Sequence, residues 1–585
     1  MSFIPQQETN MSTALMLADL DDFLPISRQE CIKPFLLNSS DNATTGSTSN
    51  ISEEGGVALN ETRTTRRNNR LTKKPGTVGQ EPKKIAKIEL ADCLACSGCV
   101  TTAESVLVNQ QSIDQFLSSL REMDLVNTLK NHFSESNTNK QPIVGGDDLD
   151  SLLQPGNFSL KKPTLFFVTI SQQSAASLAS FYQCSSVQEC LNRLSYLFKV
   201  KFGAAAVFEI ASLARLVSHL EICEEFVRKF KENGGKSPLF TSACPGWICY
   251  AEKTHPEILP FISTVKSPQQ IMGTLVKKFI SNNFKDMTNV MNVYHVTVMP
   301  CFDKKLEASR PDFTNDPFDK VDMVLTSSEI TELLQRECQI ESSEDFHNKT
   351  MLNSESFTDN VLDILKNIKT TSPSNSMDLQ LDENLLQWLD SSSDATGSGA
   401  YCEMVFKYAA KKLFNIDIRH TTLNFESKRN SDYREVVLYD PKCSEPTVLL
   451  KFVIANGFRN IQNLVRRMKQ VNGDESFHFV EVMACPIGCL NGGGQVKVKN
   501  PKGDSSSDPI LSTTPKQHLS QTDKLYREDV TYWHNKEENL PSLVQALYEL
   551  WIQGPIGSNS ANKILHTKYH AVEKLNMLAP TALKW

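Results

Sequence analysis

The chain has 585 residues, with 61 Lys and Arg against 68 Asp and Glu, so its net charge is −7. Its length corresponds to about three or four domains, and its acidic balance excludes a general nucleic-acid binder. No apolar run approaches the roughly 18 residues of a membrane span, and residues 1–20 lack a secretory signal pattern. We therefore expect a cytosolic or nuclear protein whose 15 cysteines serve metal or redox chemistry.

The N-terminal third divides into three segments. Residues 1–38 form an N-terminal segment with a single cysteine. Residues 39–85 are rich in Ser, Thr, Asn and Gly, which is typical of a disordered linker. Residues 86–135 contain a dense cysteine motif.

That motif consists of Cys93, Cys96 and Cys99, separated by two residues each. A tight turn brings three thiolates at this spacing to one point, which predicts either zinc or an iron–sulfur cluster. In bacterial ferredoxins a fourth cysteine follows four positions later, but Ala103 stands there. The fourth ligand must therefore come from a distant position, and Cys31 is the only cysteine upstream.

Strands alternate with helices in residues 160–340. Apolar, β-rich runs predict strands at Pro163–Ile170, Val293–Met299 and Val321–Leu325. Helical patterns cover Ala211–Phe230 and Pro268–Phe279. This alternation predicts an α/β fold with a parallel sheet.

A polar segment, residues 341–399, interrupts the α/β pattern. Between residues 341 and 394 it has 11 acidic residues and 3 lysines, which predicts an exposed, disordered insert. A second α/β region, 400–525, follows, with strands at Glu435–Leu438 and Thr447–Ile454 and a loop-like stretch at 500–524. Residues 526–585 form a helical tail that ends in Trp585.

A second group of cysteines is dispersed along the α/β regions. Cys244 and Cys301 each follow a predicted strand, and Cys485 and Cys489 precede a Gly-Gly-Gly sequence. Strand ends of a parallel sheet converge on one edge, where ligands bind. Four thiolates that meet there would suit one four-iron cluster, although each cysteine alone could equally be a buried thiol.

Three longer motifs contain these cysteines: TSACPGW at 241–247, MPCFDKKLE at 299–307 and EVMACPIGCLNGGGQ at 481–495. Together they resemble the iron-only hydrogenases, a family whose eukaryotic relatives include cytosolic iron–sulfur assembly proteins and the nuclear prelamin A recognition factor (the NARF family). The resemblance implies two parallel-sheet α/β lobes that enclose a buried iron–sulfur cluster. It also implies a small ferredoxin-like N-terminal part and disordered inserts.

By this resemblance the protein would hold two 4Fe–4S clusters. One is exposed and the other lies between the lobes, and the implied ligands are Cys31, Cys93, Cys96 and Cys99 for the first and Cys244, Cys301, Cys485 and Cys489 for the second. In hydrogenases one cysteine bridges the inner cluster to a diiron subsite, and Cys489 matches that position. The other seven cysteines are expected to bind no metal.

The sequence departs from hydrogenases at the positions that move protons. Ala243 stands where hydrogenases have a proton-carrying cysteine, and a methyl group cannot relay protons. The acidic relay positions fall on Cys223 and Phe226. The pocket residues Met299, Lys304 and Met483 do match, so a cavity is expected without hydrogenase activity.

The resemblance therefore implies an adaptor of cytosolic iron–sulfur protein assembly rather than an enzyme. Its partners would be the early cluster scaffold, client apoproteins and the late targeting complex with its WD40-repeat subunit, with no membrane and no direct nucleic acid. Trp585 is a candidate docking element for that complex, because a terminal aromatic residue with a free carboxylate is accessible. The alternatives are an iron-only hydrogenase or related redox enzyme, and a nuclear prelamin-binding protein.

Overall fold

The computed structural model describes a set of separate ranges, which are 107–123, 164–209, 213–280, 292–310, 320–350, 399–428, 430–443, 445–470, 477–498, 513–536 and 540–572. They all belong to one compact unit. The predicted ligands Cys31, Cys93, Cys96 and Cys99, the linker 39–85 and the docking residue Trp585 also lie outside the described residues.

Nine strands form two sheets in the described residues. In chain order they are β1 Thr164–Ile170, β2 Ala206–Glu209, β3 Leu239–Thr241, β4 Asn292–Met299, β5 Met323–Thr326, β6 Glu426–Ser427, β7 Tyr433–Tyr439, β8 Val448–Asn456 and β9 Phe479–Met483. The first sheet has the order β2-β1-β4-β5 and the second β3-β9-β8-β7-β6.

The two sheets differ in strand direction. Every neighbouring pair of the first sheet is parallel, as the sequence predicts. In the second sheet β3, β9 and β8 are parallel, whereas β7 and β6 add an antiparallel edge. The second lobe is therefore a mixed sheet, which corrects the expectation of two parallel sheets. A mixed sheet with a short antiparallel edge is common in α/β proteins.

Fourteen helical segments are labelled in the described residues. They are α1 113–123, α2 Gln172–Phe181, α3 Val187–Val200, α4 Ala214–Asn233, α5 Pro245–Thr254, α6 Pro268–Thr274, α7 Asp303–Ser309, α8 Ser327–Cys338, α9 Ser343–Lys349, α10 Tyr401–Phe414, α11 Phe458–Gln470, α12 Pro515–Lys536, α13 Leu540–Leu547 and α14 Asn559–Leu565. Helices α6 and α13 continue as short π-helical turns, Leu275–Ile280 and Tyr548–Ile552.

Local sequence determines where several helices begin and end. Ser171 caps α2 by accepting the N–H of Ser174, and Thr326 forms a reciprocal capping box with Glu329 at the start of α8. Both contacts satisfy amide groups that a helix leaves unpaired at its first turn. Gly234 ends α4 with a φ of 65°, a conformation that glycine adopts without a steric penalty.

Aromatic side chains hold the long helices against the second sheet. Phe226 of α4 meets Phe452 and Phe479 edge-on, with ring centroids 5.1 and 5.6 Å away. Phe406 of α10 contacts Phe452 at 5.0 Å. Such pairs each contribute about 0.5–1.5 kcal/mol beyond the area they bury. Their effect is to fix α4 and α10 behind the strands that lead to the site.

Strand and helix predictions in residues 164–340 and 401–470 are confirmed to within a few residues, but the described ends of two polar segments contain helices that the sequence did not predict. The predicted insert 341–399 begins with an ordered helix, α9, whose Phe346 is fully buried. The predicted loop 500–524 contains the first half of α12. Both helices are mostly polar and bury only a few residues, so neither has the apolar periodicity that indicates a helix.

The two sheets do not follow the segment boundaries expected from the sequence. Strand β3 lies within residues 160–340, yet it pairs with β9 of the second sheet. Helix α12 lies after the second sheet, yet it packs on α2 beside the first. The lobes therefore exchange elements rather than being consecutive units. No described helix is long and apolar enough to cross a bilayer.

Candidate metal centre

The four cysteines of the dispersed group all follow the carboxyl ends of strands. Cys244 comes three residues after β3, Cys301 two after β4, and Cys485 two after β9, with Cys489 at the start of a 3₁₀ turn. Strand β4 belongs to the first sheet, and β3 and β9 to the second. The cysteines therefore come from both sheets and meet where their strand ends face each other.

The structure brings these thiols together. Burial raises the pKa of Cys301, and the nearby Asp303, Cys244, Cys485 and Cys489 raise that pKa further. Burial is also the main cause of the raised pKa of Cys485, followed by Cys244 and Cys489. Cys244 is buried and the other three are partly buried. Four enclosed sulfurs that repel one another as thiolates need a cationic centre between them in order to ionise.

Backbone amides point at two of the sulfurs. The amides of Ala484 and Trp247 hydrogen-bond the sulfur of Cys244 and lower a pKa that burial raises. The amide of Gly493 acts in the same way on the pKa of Cys485. Trp247 lies in the first turn of α5, where the helix dipole also favours negative charge. These groups prepare the site for thiolates.

The loop between Cys485 and Cys489 has a strained backbone. Ile487 has a φ of 66° and Gly488 a φ of 83°. A β-branched residue in the left-handed region is a genuine outlier, and such strain persists only where surrounding contacts enforce it. The Ile487 N–H donates to Asp432 Oδ1 at 2.7 Å. This contact holds the turn that returns the chain so that Cys489 faces Cys485.

Glycines allow the backbone segments to approach closely around the thiols. A Cβ on Gly492 would lie 2.3 Å from the carbonyl oxygen of Pro300. On Gly494 it would lie 2.7 Å from Thr326 Cγ2 and 3.1 Å from Cys301 Cα. Gly494 N–H donates to the Pro300 carbonyl at 3.0 Å. Only glycine fits at these two positions, which fasten the segment after Cys489 to the segment around Cys301.

A buried ion pair lies beside the thiols. Lys304 Nζ contacts Glu307 Oε2 at 2.6 Å and Ser267 Oγ at 3.3 Å, and Ser267 Oγ also donates to Glu307. The Lys304 ammonium lowers the pKa of Cys489, which burial raises to about 12. The same ammonium also lowers the pKa of Cys244.

A small cavity of about 20 Å³ adjoins Cys244. Ala243, Ser267, Glu307 and Tyr569 contribute to its walls. A cavity of this size holds about one water molecule. Tyr569 comes from the segment after α14, which attaches to the core where Thr567 N–H donates to the Thr264 carbonyl at 2.8 Å. The C-terminal segment thus narrows the space next to the position of Ala243.

The predicted relay positions lie in the apolar core. Cys223 has no exposed surface, and Phe226 is 2% exposed among core aromatic rings. Glu225, one residue before Phe226, has other partners, because its Oε2 accepts from Ser263 Oγ at 2.5 Å and its Oε1 pairs with Lys229 at 2.8 Å. The described residues therefore provide no ionisable chain from Ala243 through these two positions.

The donor set is typical of a soft metal centre. Four cysteine thiols, with backbone amides that hydrogen-bond two of the sulfurs, suit an iron–sulfur cluster, which cysteine thiolates hold.

The fold and the thiol group define an iron–sulfur protein of the hydrogenase type. Residues 164–493 match the family described as the iron-only hydrogenase large subunit, C-terminal domain. The chain belongs to this iron-only hydrogenase family.

Several curated relatives match along the whole chain. A rat protein named cytosolic iron-sulfur assembly component 3 is 37% identical, covering 98% of this chain and 99% of the relative. A probable cytosolic Fe-S cluster assembly factor of Aedes aegypti is 36% identical, covering 99% of this chain and 100% of its own. The relatives at this level are named for cluster assembly rather than for hydrogenase activity.

Solved hydrogenase structures share the fold. An apo [FeFe]-hydrogenase HydA1 variant from Chlamydomonas reinhardtii has a TM-score of 0.51 at 21% identity, covering 72% of this chain and 98% of the hydrogenase. A second structure, of HydA(deltaEFG), has a TM-score of 0.50 at 20% identity with the same coverage. This similarity establishes a common architecture and leaves chemistry to the site residues.

Three features of this site were not predicted from the sequence: Ser267, Tyr569 and the pairing of Glu307 with Lys304. No motif marks Ser267 or Tyr569, which come from loops far apart in the chain. The spacing of Lys304 and Glu307, three residues apart on a helix, was the one available signal, because such pairs lie on the same helix face.

Proposed function

We propose that this chain is a component of cytosolic iron–sulfur protein assembly. In this role it is a cluster-binding adaptor that supports maturation of extramitochondrial iron–sulfur proteins. The observation that supports this role is the combination of four converging cysteines with Ala243 beside the first of them. The thiols can hold a cluster, and the neighbouring position cannot pass a proton to it.

The proposed ligands of the inner 4Fe–4S cluster are Cys244, Cys301, Cys485 and Cys489. Enclosed between two sheets and braced by glycines, this centre suits a permanent structural or electronic role. Cys31, Cys93, Cys96 and Cys99 are the proposed ligands of a second 4Fe–4S cluster. A cluster on the N-terminal part can exchange ligands with a partner more readily than one enclosed by folded lobes.

The proposed partners follow from the same role. The chain would connect the early scaffold, on which clusters are built, with the late targeting complex and its WD40-repeat subunit, from which client apoproteins receive them. Trp585 is the proposed docking residue for the targeting complex. The proposed location is the cytoplasm.

The proposed absence of hydrogenase activity has its own support. Ala243, in the wall of the small cavity beside Cys244, cannot relay a proton. The relay positions Cys223 and Phe226 are buried in the apolar core. Both features separate this site from a proton-reducing centre.

A cellular complementation experiment tests the proposal. Cells depleted of their own assembly factor receive the chain, and incorporation of labelled iron into a cytosolic iron–sulfur enzyme is measured. The native chain and a Cys443→Ser control, which changes an exposed thiol away from the site, should restore incorporation, whereas Cys96→Ala should not. Restoration by Cys96→Ala, or hydrogen evolution from a chemically reduced donor by the purified chain, would overturn the proposal.

A further inference from the structure

Three metal-ligating side chains converge at a second place, on the first sheet's outer side. They are Cys184 in the loop after α2, Glu189 in the first turn of α3 and His347 in α9. One donor atom from each, a sulfur, a carboxylate oxygen and an imidazole nitrogen, lies within 4.8 Å of the others. This is the sole group of its kind among the described residues, and it is separate from the four-thiol centre.

The tautomer of His347 leaves a lone pair facing this group. Its Nδ1 lies 2.7 Å from the carbonyl oxygen of Ser343, and a carbonyl can only accept, so Nδ1 has the proton in the neutral ring. Nε2 is then an acceptor, and it faces Glu189 Oε1 at 3.5 Å. In the neutral ring this contact pairs two acceptors, which a proton on Nε2 or a metal ion between the two atoms would satisfy. A backbone carbonyl on the far ring nitrogen is the usual support of a metal-bound histidine.

The carboxylate of Glu189 is fixed in place by its own partners. Oε2 accepts from the N–H and the Oγ of Ser185 at 2.8 and 2.7 Å. Oε1 accepts from Arg193 Nε and Nη2 at 2.9 and 2.8 Å. Oε1, the oxygen that faces His347, is therefore held in position, but both of its lone pairs accept from Arg193. Binding of a metal ion at Oε1 requires Arg193 to give up at least one of these two hydrogen bonds.

The surrounding packing aligns α9 with the loop that contains Cys184. Phe346 stacks on Tyr182 with ring centroids 4.1 Å apart, and Ser343 Oγ donates to the Tyr182 carbonyl at 2.5 Å. Arg193 Nη1 donates to the Thr350 carbonyl at 2.7 Å. These contacts bring the three donors together from distant parts of the chain and keep them there.

A further thiol lies next to the group. Cys190 is fully buried on α3, and its thiol hydrogen-bonds that of Cys184. A mixed set of sulfur, nitrogen and oxygen donors matches zinc, whose structural sites are tetrahedral.

We propose that Cys184, Glu189 and His347 hold a structural Zn²⁺ ion, with Cys190 beside its fourth coordination position. The ion joins the α2–α3 loop to α9 and so fastens α9 to the first sheet. The three donor atoms lie within 4.8 Å of one another. To bind the ion they need to come only to separations of about 3.3–3.8 Å, which bonds of about 2.0–2.3 Å require.

The test is a zinc measurement on the full chain purified anaerobically from zinc-supplemented cells. Zinc and iron are counted by mass spectrometry, and X-ray absorption at the zinc edge reports the zinc ligands without interference from iron. We expect about one zinc per chain, with sulfur at about 2.3 Å and nitrogen or oxygen at about 2.0 Å. Cys184→Ser and His347→Ala should each reduce zinc about tenfold or more and leave iron unchanged.

Cys338→Ser is the matched control. Like Cys184, Cys338 lies close enough to Tyr182 to raise its pKa, but it does not belong to the donor group. It should keep its zinc. Should Cys184→Ser or His347→Ala fail to fold, the native chain alone remains informative. A chelator should then lower its melting temperature, and added Zn²⁺ should restore it. Equal zinc in the parent and its variants, a zinc edge with four sulfurs, or a melting temperature that the chelator leaves unchanged would overturn the proposal.

Discussion

Lys304 and Glu307 form a buried ion pair across one turn of α7, with Nζ and Oε2 2.6 Å apart. Their side chains are 8% and 5% exposed, so neither charge is screened by water. The pair stands between Ser267 and the thiol centre, where the Lys304 ammonium offsets the charge of thiolates at Cys489 and Cys244.

Replacement of Lys304 by Met should destabilise the protein and weaken iron retention. It leaves Glu307 buried without its cation, which costs about 3–5 kcal/mol, and it removes a positive charge from the thiol centre. The melting temperature and the iron content after desalting measure the two effects. The double variant Lys304→Met, Glu307→Gln should recover much of the melting temperature but not the iron. Full iron in the single variant would show that the pair has no influence on the thiols.

Removal of an inner cysteine should have a larger effect than removal of an outer one. Cys485→Ala deletes a thiol from the enclosed centre, so we expect iron to fall by about four atoms per chain and the whole protein to lose stability. Cys96→Ala should lose a similar amount of iron without a change in the melting of the α/β lobes. Cys402→Ala, a fully buried thiol outside the centre, is the matched control and should retain iron. Iron loss in Cys402→Ala as well would point to general unfolding.

A single methyl group at Gly492 should disrupt the centre. The added Cβ would lie 2.3 Å from the Pro300 carbonyl oxygen, which is backbone and cannot move without displacing Cys301. We expect a loss of inner-cluster iron and destabilisation of about 2–4 kcal/mol, typical of overpacked or strained sites. A Cβ on Gly203 would have no atom within 4 Å, although the backbone there has a φ of +71°. The control Gly203→Ala should therefore cost only about 1 kcal/mol and keep its iron.

The buried carboxyl of Asp529 should make stability depend on pH. Burial raises its pKa to about 6, against the hydrogen bonds from Gln172 and Gln188 that favour its ionised form. The folded pKa lies above the unfolded value, so the contribution of this group to stability is fully present below pH ~4 and is lost as pH rises through about 6, up to roughly 3 kcal/mol.

Asp529→Asn removes that titration while keeping the side-chain shape. Melting temperatures measured from pH 5 to pH 8 should therefore fall less with rising pH for the variant than for the native chain. Asp523→Asn, which changes a surface carboxylate of the same helix, should follow the native profile. Parallel profiles for Asp529→Asn and the native chain would contradict the prediction.

Trp585→Ala should reduce binding to the targeting complex without loss of iron. Trp585 is the proposed docking residue, and its indole would supply the apolar contact with the partner. Capture of the purified WD40-repeat subunit by the native and variant chains measures the effect. Lys584→Ala is the control, because it keeps the aromatic side chain. Equal capture by all three chains would exclude Trp585 as the docking residue.

The convergence of the inner cysteines could be inferred from the sequence because their environment is regular. Cys244, Cys301 and Cys485 lie two or three residues after buried strands, and ligand sites form at the carboxyl ends of such strands. The sequence did not show that these strands belong to two different sheets. The strand pairing itself could not be inferred, since β3 has only three residues and its pattern does not name β9 as its neighbour. Helix α12 was not predicted, because its sequence is polar along most of its length and lacks the apolar periodicity that indicates a helix.

The side chains around the thiols were harder to predict than the thiols. Ser267 and Tyr569 reach the site from a helix boundary and from the C-terminal segment, and a single serine or tyrosine has no distinctive local pattern. The donor group of Cys184, Glu189 and His347 shows the same limit. The sequence analysis expects Cys184 to bind no metal, and only the tertiary packing of α9 places His347 beside Cys184 and Glu189.

The pairing of β3 with β9 also sets an order of events during synthesis. Residues 239–241 pair with residues 479–481, so the second sheet stays incomplete until residue 481 has been synthesised. Such long-range pairing is slow to form. Two of the proposed ligands, Cys485 and Cys489, also follow β9, so the proposed inner centre can be completed only late in synthesis. A product truncated before β9 would leave β3 without its neighbour in the second sheet.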